Sequence, residues 1–301
     1  MLMKELAKRA DKEGHDVEVY LCSSDVKSVD GVIIRDMGVC IFDATAPHAY
    51  DCRYLGCVDK LADVTQFLDA DKLILHKDRI IQLTGKSKEN YSKGYAFLFC
   101  AGKFALDIYE SAKEHIESEE IEKLAKRLTK KCKKEPLVIK KRVATSISGK
   151  GKKSEKDFLK CVKKAYYIDE QYGIFPYLAE KIKEYASGNV IEFKSPLLPE
   201  LTEGLYLEDT GVFISGEKNL LPEIYTKIST KKLHDGYFIE NKAKLRFERK
   251  AVDEFMSIAC DNFCLAAKSH DELEKINISA MDFDKMNKWS NKLIEEILRE
   301  S

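Results

Sequence analysis

The residues best suited to do chemistry gather in one short stretch, "GVCIFDATAPHAYD" at 38–51. Four apolar residues, Val39, Cys40, Ile41 and Phe42, run straight into the carboxylate of Asp43, and Thr45 and His48 follow in a small, polar segment. An acid at the C-terminal end of a buried strand stands where open α/β sheets bind ligands. There it can hold a Mg2+ ion that neutralises phosphate charge. An Asp that caps the following turn leaves the same local pattern. Ser24 and Asp25 follow a second apolar run, "VEVYLC", and read either as groups that orient a water or as a polar turn. His48 is placed to sense a phosphate or to hydrogen-bond within its own loop.

Phosphate binding would need a glycine-rich loop ending Gly-Lys-Ser/Thr, whose amides and lysine wrap the anion. No G-x-x-x-x-G-K occurs. "LTGKSKEN" (83–90) has Ile80 where the first Gly belongs, and "SISGKGKKSEK" (146–156) has Ala144 or Ser146 there. The second stretch reads as a solvated basic loop. His48, Cys52 and Cys57 suggest zinc, but no second tight pair completes a tetrahedral set. Cys260 and Cys264 are spaced for one face of a buried helix. Tyr91, Tyr95, Phe97, Phe99 and Phe104 read as core residues ahead of a helix, and with Lys93 and Lys103 they make no convincing nucleic-acid surface.

The elements that must position these groups come in two copies. Residues 17–43 lie over 190–216 at a constant offset of 173, with Val17/Val190, Gly31/Gly204, Asp36/Asp209, Gly38/Gly211, Val39/Val212 and Ile41/Ile214 identical. Apolar character persists at Tyr20/Phe193, Val32/Leu205 and Ile34/Leu207. A short helical stretch precedes each block. Strands are predicted at 17–22, 31–35 and 39–43, and helices around 59–83, 103–128, 242–268 and 283–299. The linker 130–157 reads as strands leading into the second half. Strands alternating with helices predict an α/β fold with mostly parallel sheets flanked by helices, divided into lobes at 1–135 and 136–301.

Composition narrows the classes further. Over 301 residues, 51 basic side chains balance 51 acidic ones, and 44% of residues are hydrophobic. That is a globular composition with no bulk field for nucleic acid or an acidic membrane. No apolar run is long enough to span a membrane. Nine cysteines scattered through apolar segments read as the thiols of a reduced, cytoplasmic protein.

Three stretches carry a family resemblance: Cys22-Ser23-Ser24-Asp25, Asp30-Gly31-Val32-Ile33-Ile34 and Asp43-Ala44-Thr45-Ala46-Pro47-His48. With "AAKSHDELEKINISAMDFDKMNKWSNKLIEEIL" (266–298), they make the chain resemble a bacterial family of tandem P-loop proteins. Members are usually labelled ATP-binding proteins, ATPases or nucleotide kinases. The resemblance implies two P-loop-NTPase-like lobes packed on each other, with ATP and Mg2+ as cofactors and a nucleotide as partner. By resemblance Asp43 would hold Mg2+, Thr45 would join it in cofactor binding, and Ser24, Asp25 and His48 would be the catalytic set.

The chain departs from that pattern in both halves. The strand and phosphate loop that the family places before "LMKEL" are missing. The resemblance therefore implies either a start about 35–45 residues upstream or a loss that leaves strand edges open unless another strand fills the slot. In the second half, "AYYIDEQYGIFPYLAEKI" (165–182) keeps only Gly173 of the glycines, and Gly216 stands opposite Asp43. The chain as written is expected to have weak or no ATPase activity. The alternative is a non-enzymatic binding or interaction module.

Overall fold

The computed structural model describes residues 2–22, 27–45, 50–132, 135–169 and 173–299. It is a mixed α/β protein, about half helix, with multi-stranded sheets that are partly parallel. The chain divides into two compact units, Met1–Glu89 with Ala266–Ser301, and Asn90–Leu265. The division passes through the two longest helices.

The first unit opens with α1 (Leu2–Glu13), whose Leu6, Ala7 and Ala10 recur at helical spacing and are buried. Strands β1 (Val17–Leu21), β2 (Val29–Ile34) and β3 (Val39–Phe42) form a three-stranded antiparallel sheet in that order. One sheet face, through Val32 and Ile34, packs on Leu6, Ala7 and Ala10 and on Ile294 of the C-terminal helix. Helix α2 (Ala70–Ile74) is capped by Asp69, whose side chain accepts from the Lys72 amide. Helix α3 (Lys77–Lys113) then carries the chain into the second unit.

There α4 (Ser118–Thr129) precedes β4 (Val138–Arg142), the hairpin β5 (Thr145–Ser148) and β6 (Gly151–Ser154), and β7 (Lys164–Asp169). After α5 (Ile174–Tyr185) come β8 (Asn189–Lys194), β9 (Thr202–Leu207), β10 (Val212–Ser215) and β11 (Thr226–Ser229). Helices α6 (Tyr237–Glu240), α7 (Lys242–Ala280) and α8 (Phe283–Arg299) complete the chain, α7 ending and α8 lying in the first unit. The six-stranded sheet runs β11-β7-β10-β9-β8-β4. One of its faces buries Ile168, Val190, Leu205, Leu207 and Ile214 with the apolar stripes of α4 and α5.

The duplication read from the sequence is present in the backbone. Val17 pairs with Ile34 as Val190 pairs with Leu207, and Val32 pairs with Ile41 as Leu205 pairs with Ile214. The register shift at Tyr20/Leu21 recurs at Phe193/Lys194. The second turn is also shared: Gly38 and Gly211 hold φ of 66° and 68°, a left-handed geometry that glycine adopts without steric cost. Their amides donate to Arg35 and Glu208 carbonyls respectively.

The expected parallel pairing is found only in part. β7 pairs parallel with β10 and β11, and β4 with β8, but β8-β9-β10 and β1-β2-β3 are antiparallel meanders. Short returns explain this, because residues 35–38 suffice for a hairpin while a parallel return needs a crossover of about a dozen residues. One local expectation also changes. The aromatics of 91–104 lie within α3, where Tyr95 and Phe99 are mostly exposed rather than core. "LTGKSKEN" lies inside α3 as well.

Candidate functional site

Asp43 follows β3 directly, and its amide donates to the Asp30 carbonyl at 2.8 Å, which extends the β2–β3 pairing to the rim of the sheet. Its Oδ1 accepts from the Thr45 amide at 2.9 Å, so the carboxylate closes the turn after the strand. Thr45 is exposed. Ser24, Asp25 and His48, the remaining sequence candidates, lie outside the described residues. Cys52 is half-buried and Cys57 exposed.

Asp30 and Asp43 stand at one end of a groove of about 290 Å3, whose other lining residues are Tyr20, Gly31, Val32, Ile33, Cys40 and Phe42. Strand alternation explains most of the set: Tyr20, Gly31 and Phe42 pair across the three strands and Cys40 pairs with Ile33, on the sheet face turned away from α1. Tyr50 packs edge-on against Phe42 with ring centroids 5.3 Å apart. The described lining thus combines an apolar floor with two carboxylates and no cation. Below the sheet, Asp36 holds the β1–β2 pair in place, binding His15 Nδ1 at 2.7 Å and the Asp16 amide at 3.0 Å. The hydrogen bond from His15 holds the Asp36 carboxyl below its ordinary range.

No protein-family model, curated protein or solved structure matches this chain. The second repeat is therefore the standard against which the first can be read.

At the position matching Asp43 the second repeat has Gly216, and a Cβ there would lie 2.7 Å from Phe175 Cβ. Phe175, in the first turn of α5, is fully buried. Beside it Tyr109 of α3 stacks on Tyr177 at 4.6 Å, and the Tyr109 Cα sits 3.3 Å from where a Gly173 Cβ would be. Burial pushes the Tyr177 hydroxyl far above its usual range. Aromatic side chains thus lie against Gly216 and Gly173. The basic hairpin is also committed: Lys152 bridges Glu203 Oε1 at 3.1 Å and Glu217 Oε2 at 3.0 Å. Burial raises the Glu203 carboxyl. Burial opposes charge on Lys152, but the two carboxylates outweigh it and hold its ammonium above the ordinary range.

Sequence reasoning missed the groove face itself. Its signal was the offset of 173, which sets Tyr20 and Cys40 against Phe193 and Phe213. Elsewhere in the first unit, the exposed His270, Asp271 and Glu274 bring potential ligand atoms within 4.8 Å of one another.

Proposed function

We propose that the protein is a non-enzymatic binding module, built from two copies of an α/β half-repeat and akin to P-loop NTPases in ancestry. The single observation that carries this reading is the packing of Phe175 against Gly216, which leaves the second repeat no room for an acid at the rim of the sheet. The first repeat supports it as well. Its groove offers a triphosphate two carboxylates and no cation in its described lining, and Asp43 already accepts from the turn. A described lining with two carboxylates and no basic side chain is a poor match for the triphosphate of Mg2+–ATP.

A titration decides between this reading and an ATP-binding one. A ligand that binds only the folded state raises the melting temperature in step with occupancy. Millimolar Mg2+–ATP is expected to leave the melting temperature of the full chain unchanged, and Asp43→Ala is expected to behave alike. A Mg2+-dependent rise that Asp43→Ala removes would replace the module with a nucleotide site on Asp43 and Thr45.

A further inference from the structure

Hairpin β5–β6 stands outside the six-stranded sheet, and two short strands alone are marginal in water. Its docking within the second unit is what fixes it. At the turn, Gly149 lies so close to α7 that an added Cβ would sit 2.6 Å from both the Cα and the amide nitrogen of Cys264. The Gly151 amide is directed at the sulfur of Cys260, one helical turn away. Toward the sheet, Lys152 of β6 bridges Glu203 on β9 and Glu217 just after β10, with Thr145 of β5 beside Glu203. Thr145 and Ser148 are buried.

The charges beneath the hairpin do not balance. Glu203 is 7% exposed, and its Oε2 is buried without a hydrogen-bond partner. Lys152 supplies one positive charge to two carboxylates, and Glu217, with 39% of its side chain exposed, keeps part of its hydration. The excess negative charge therefore falls on Glu203, and an ionised carboxylate in such surroundings is costly. A proton on Glu203 removes that cost, and so does lifting the hairpin so that water reaches the carboxylate. Burial raises the Glu203 carboxyl, with Lys152 pulling it down and Glu217 pushing it up, which is the direction this geometry requires. Burial opposes charge on Lys152, but Glu217 and Glu203 outweigh it, so the ammonium stays charged.

We propose that the β5–β6 hairpin is a proton-linked strap: it docks while Glu203 is neutral and lifts from β9 and α7 as that carboxyl ionises, uncovering the Cys260 sulfur. The sign follows from linkage. Docking is complete below the ordinary glutamate range and weakens as pH rises through the raised value of the docked state. Lys152 and Glu217 set where that happens, since they are the charged groups that reach Glu203 from β6 and from the end of β10. The glycine at 149 makes the motion a clean one, because the turn meets α7 through backbone and has no side chain to withdraw. The strap belongs to the second repeat and is independent of what the first repeat binds.

The test is hydrogen exchange of the full chain between about pH 5 and about pH 8, with protection corrected for the pH dependence of intrinsic exchange. Peptide-resolved alkylation of Cys260, measured relative to exposed Cys57, is the second readout. Protection of 146–153 is expected to fall about threefold or more across that range, with Cys260 labelling rising in step and 202–215 unchanged. Glu203→Gln, a neutral side chain of the same shape, should flatten both responses at their acid level. Glu217→Gln, at a partly exposed position, removes the neighbour that pushes Glu203 up and should move the fall to lower pH. Gly149→Ala, which the α7 backbone would push away, should give the undocked level at every pH. Three results would overturn the proposal: protection of 146–153 that is flat with pH in the parent, a fall that persists in Glu203→Gln or stays in place in Glu217→Gln, and an equal loss over 202–215, since the whole unit would then be opening.

Discussion

The two repeats differ in whether one sheet face is covered, and a matched pair of glycine substitutions reads that difference. Gly31 and Gly204 are equivalent, each on the central strand of its meander. A Cβ at Gly204 would lie 3.0 Å from two ring atoms of Phe213, which is fully buried and cannot swing away. Overpacking of that kind costs about 1–3 kcal/mol, offset by about 0.5–1 kcal/mol because alanine loses less backbone entropy than glycine in a strand. Gly204→Ala is therefore expected to destabilise its repeat by up to about 2.5 kcal/mol. A Cβ at Gly31 would find Phe42 Cβ at 3.4 Å and Tyr20 Cβ at 3.7 Å, ordinary contacts beside half-exposed side chains. There only the entropy remains, and Gly31→Ala should stabilise by about 0.5–1 kcal/mol. Because local units open separately, the assay is native-state hydrogen exchange read by segment, 29–42 for one variant and 202–215 for the other. If Gly31→Ala loosens its strands as much as Gly204→Ala loosens its own, the face is covered, and the open groove falls with it.

Other perturbations test neighbouring parts of the fold. Glu192 is 1% exposed and takes the Lys183 ammonium at 2.8 Å and the Thr202 hydroxyl at 2.6 Å; Glu192→Ala should cost about 3–5 kcal/mol in urea unfolding, as removal of one partner from a buried pair does. Burial opposes its ionisation, but Lys183, Thr202 and Lys194 prevail and hold the carboxyl below its ordinary range. The stability it contributes is thus complete above the unfolded carboxylate value and is lost as pH falls through the lower folded one. The urea midpoint should drop below about pH 4, and Glu192→Gln should flatten that limb. Glu203 has the opposite sign: burial raises its carboxyl, so its contribution declines as pH rises from the unfolded carboxylate value through the raised folded one, and Glu203→Gln should remove that decline. Gly216→Asp should cost about 3 kcal/mol or more by clash and burial of charge, and Phe175→Ala about 3–5 kcal/mol. Because the two side chains share one space, the double variant should lose less than the sum.

Much of the local architecture was readable in the chain, and the reasons are specific. Glycine at 38 and 211 and the apolar runs on either side mark strand boundaries, and β3 and β10 fall where that pattern puts them. Strand direction was not readable from alternation, which is the same in parallel and antiparallel sheets; only the length of the return between Arg35 and Gly38 encodes it. The extent of α3 was hidden for a different reason. Gly85, Gly94 and Gly102 lower its helix propensity, yet Gly94 lies against Phe263, whose ring would sit 2.4 Å from an added Cβ. Tertiary contact, invisible in one sequence, overrides the local preference. Asp43 was legible as an acid at a strand end, and the structure adds that its oxygen closes a turn with Thr45.

Four substitutions between the repeats run in one direction. Tyr20 becomes Phe193, Cys40 becomes Phe213 and Asp43 becomes Gly216 under Phe175; exposed Val19 becomes Glu192, enclosed by Lys183, Lys194 and Thr202. Each change gives the second copy an internal partner. A face whose aromatic side chains and unblunted edge find partners inside the chain has little left to offer a ligand. The first copy keeps the same backbone while leaving those positions exposed, at the usual cost in aggregation risk for an apolar edge.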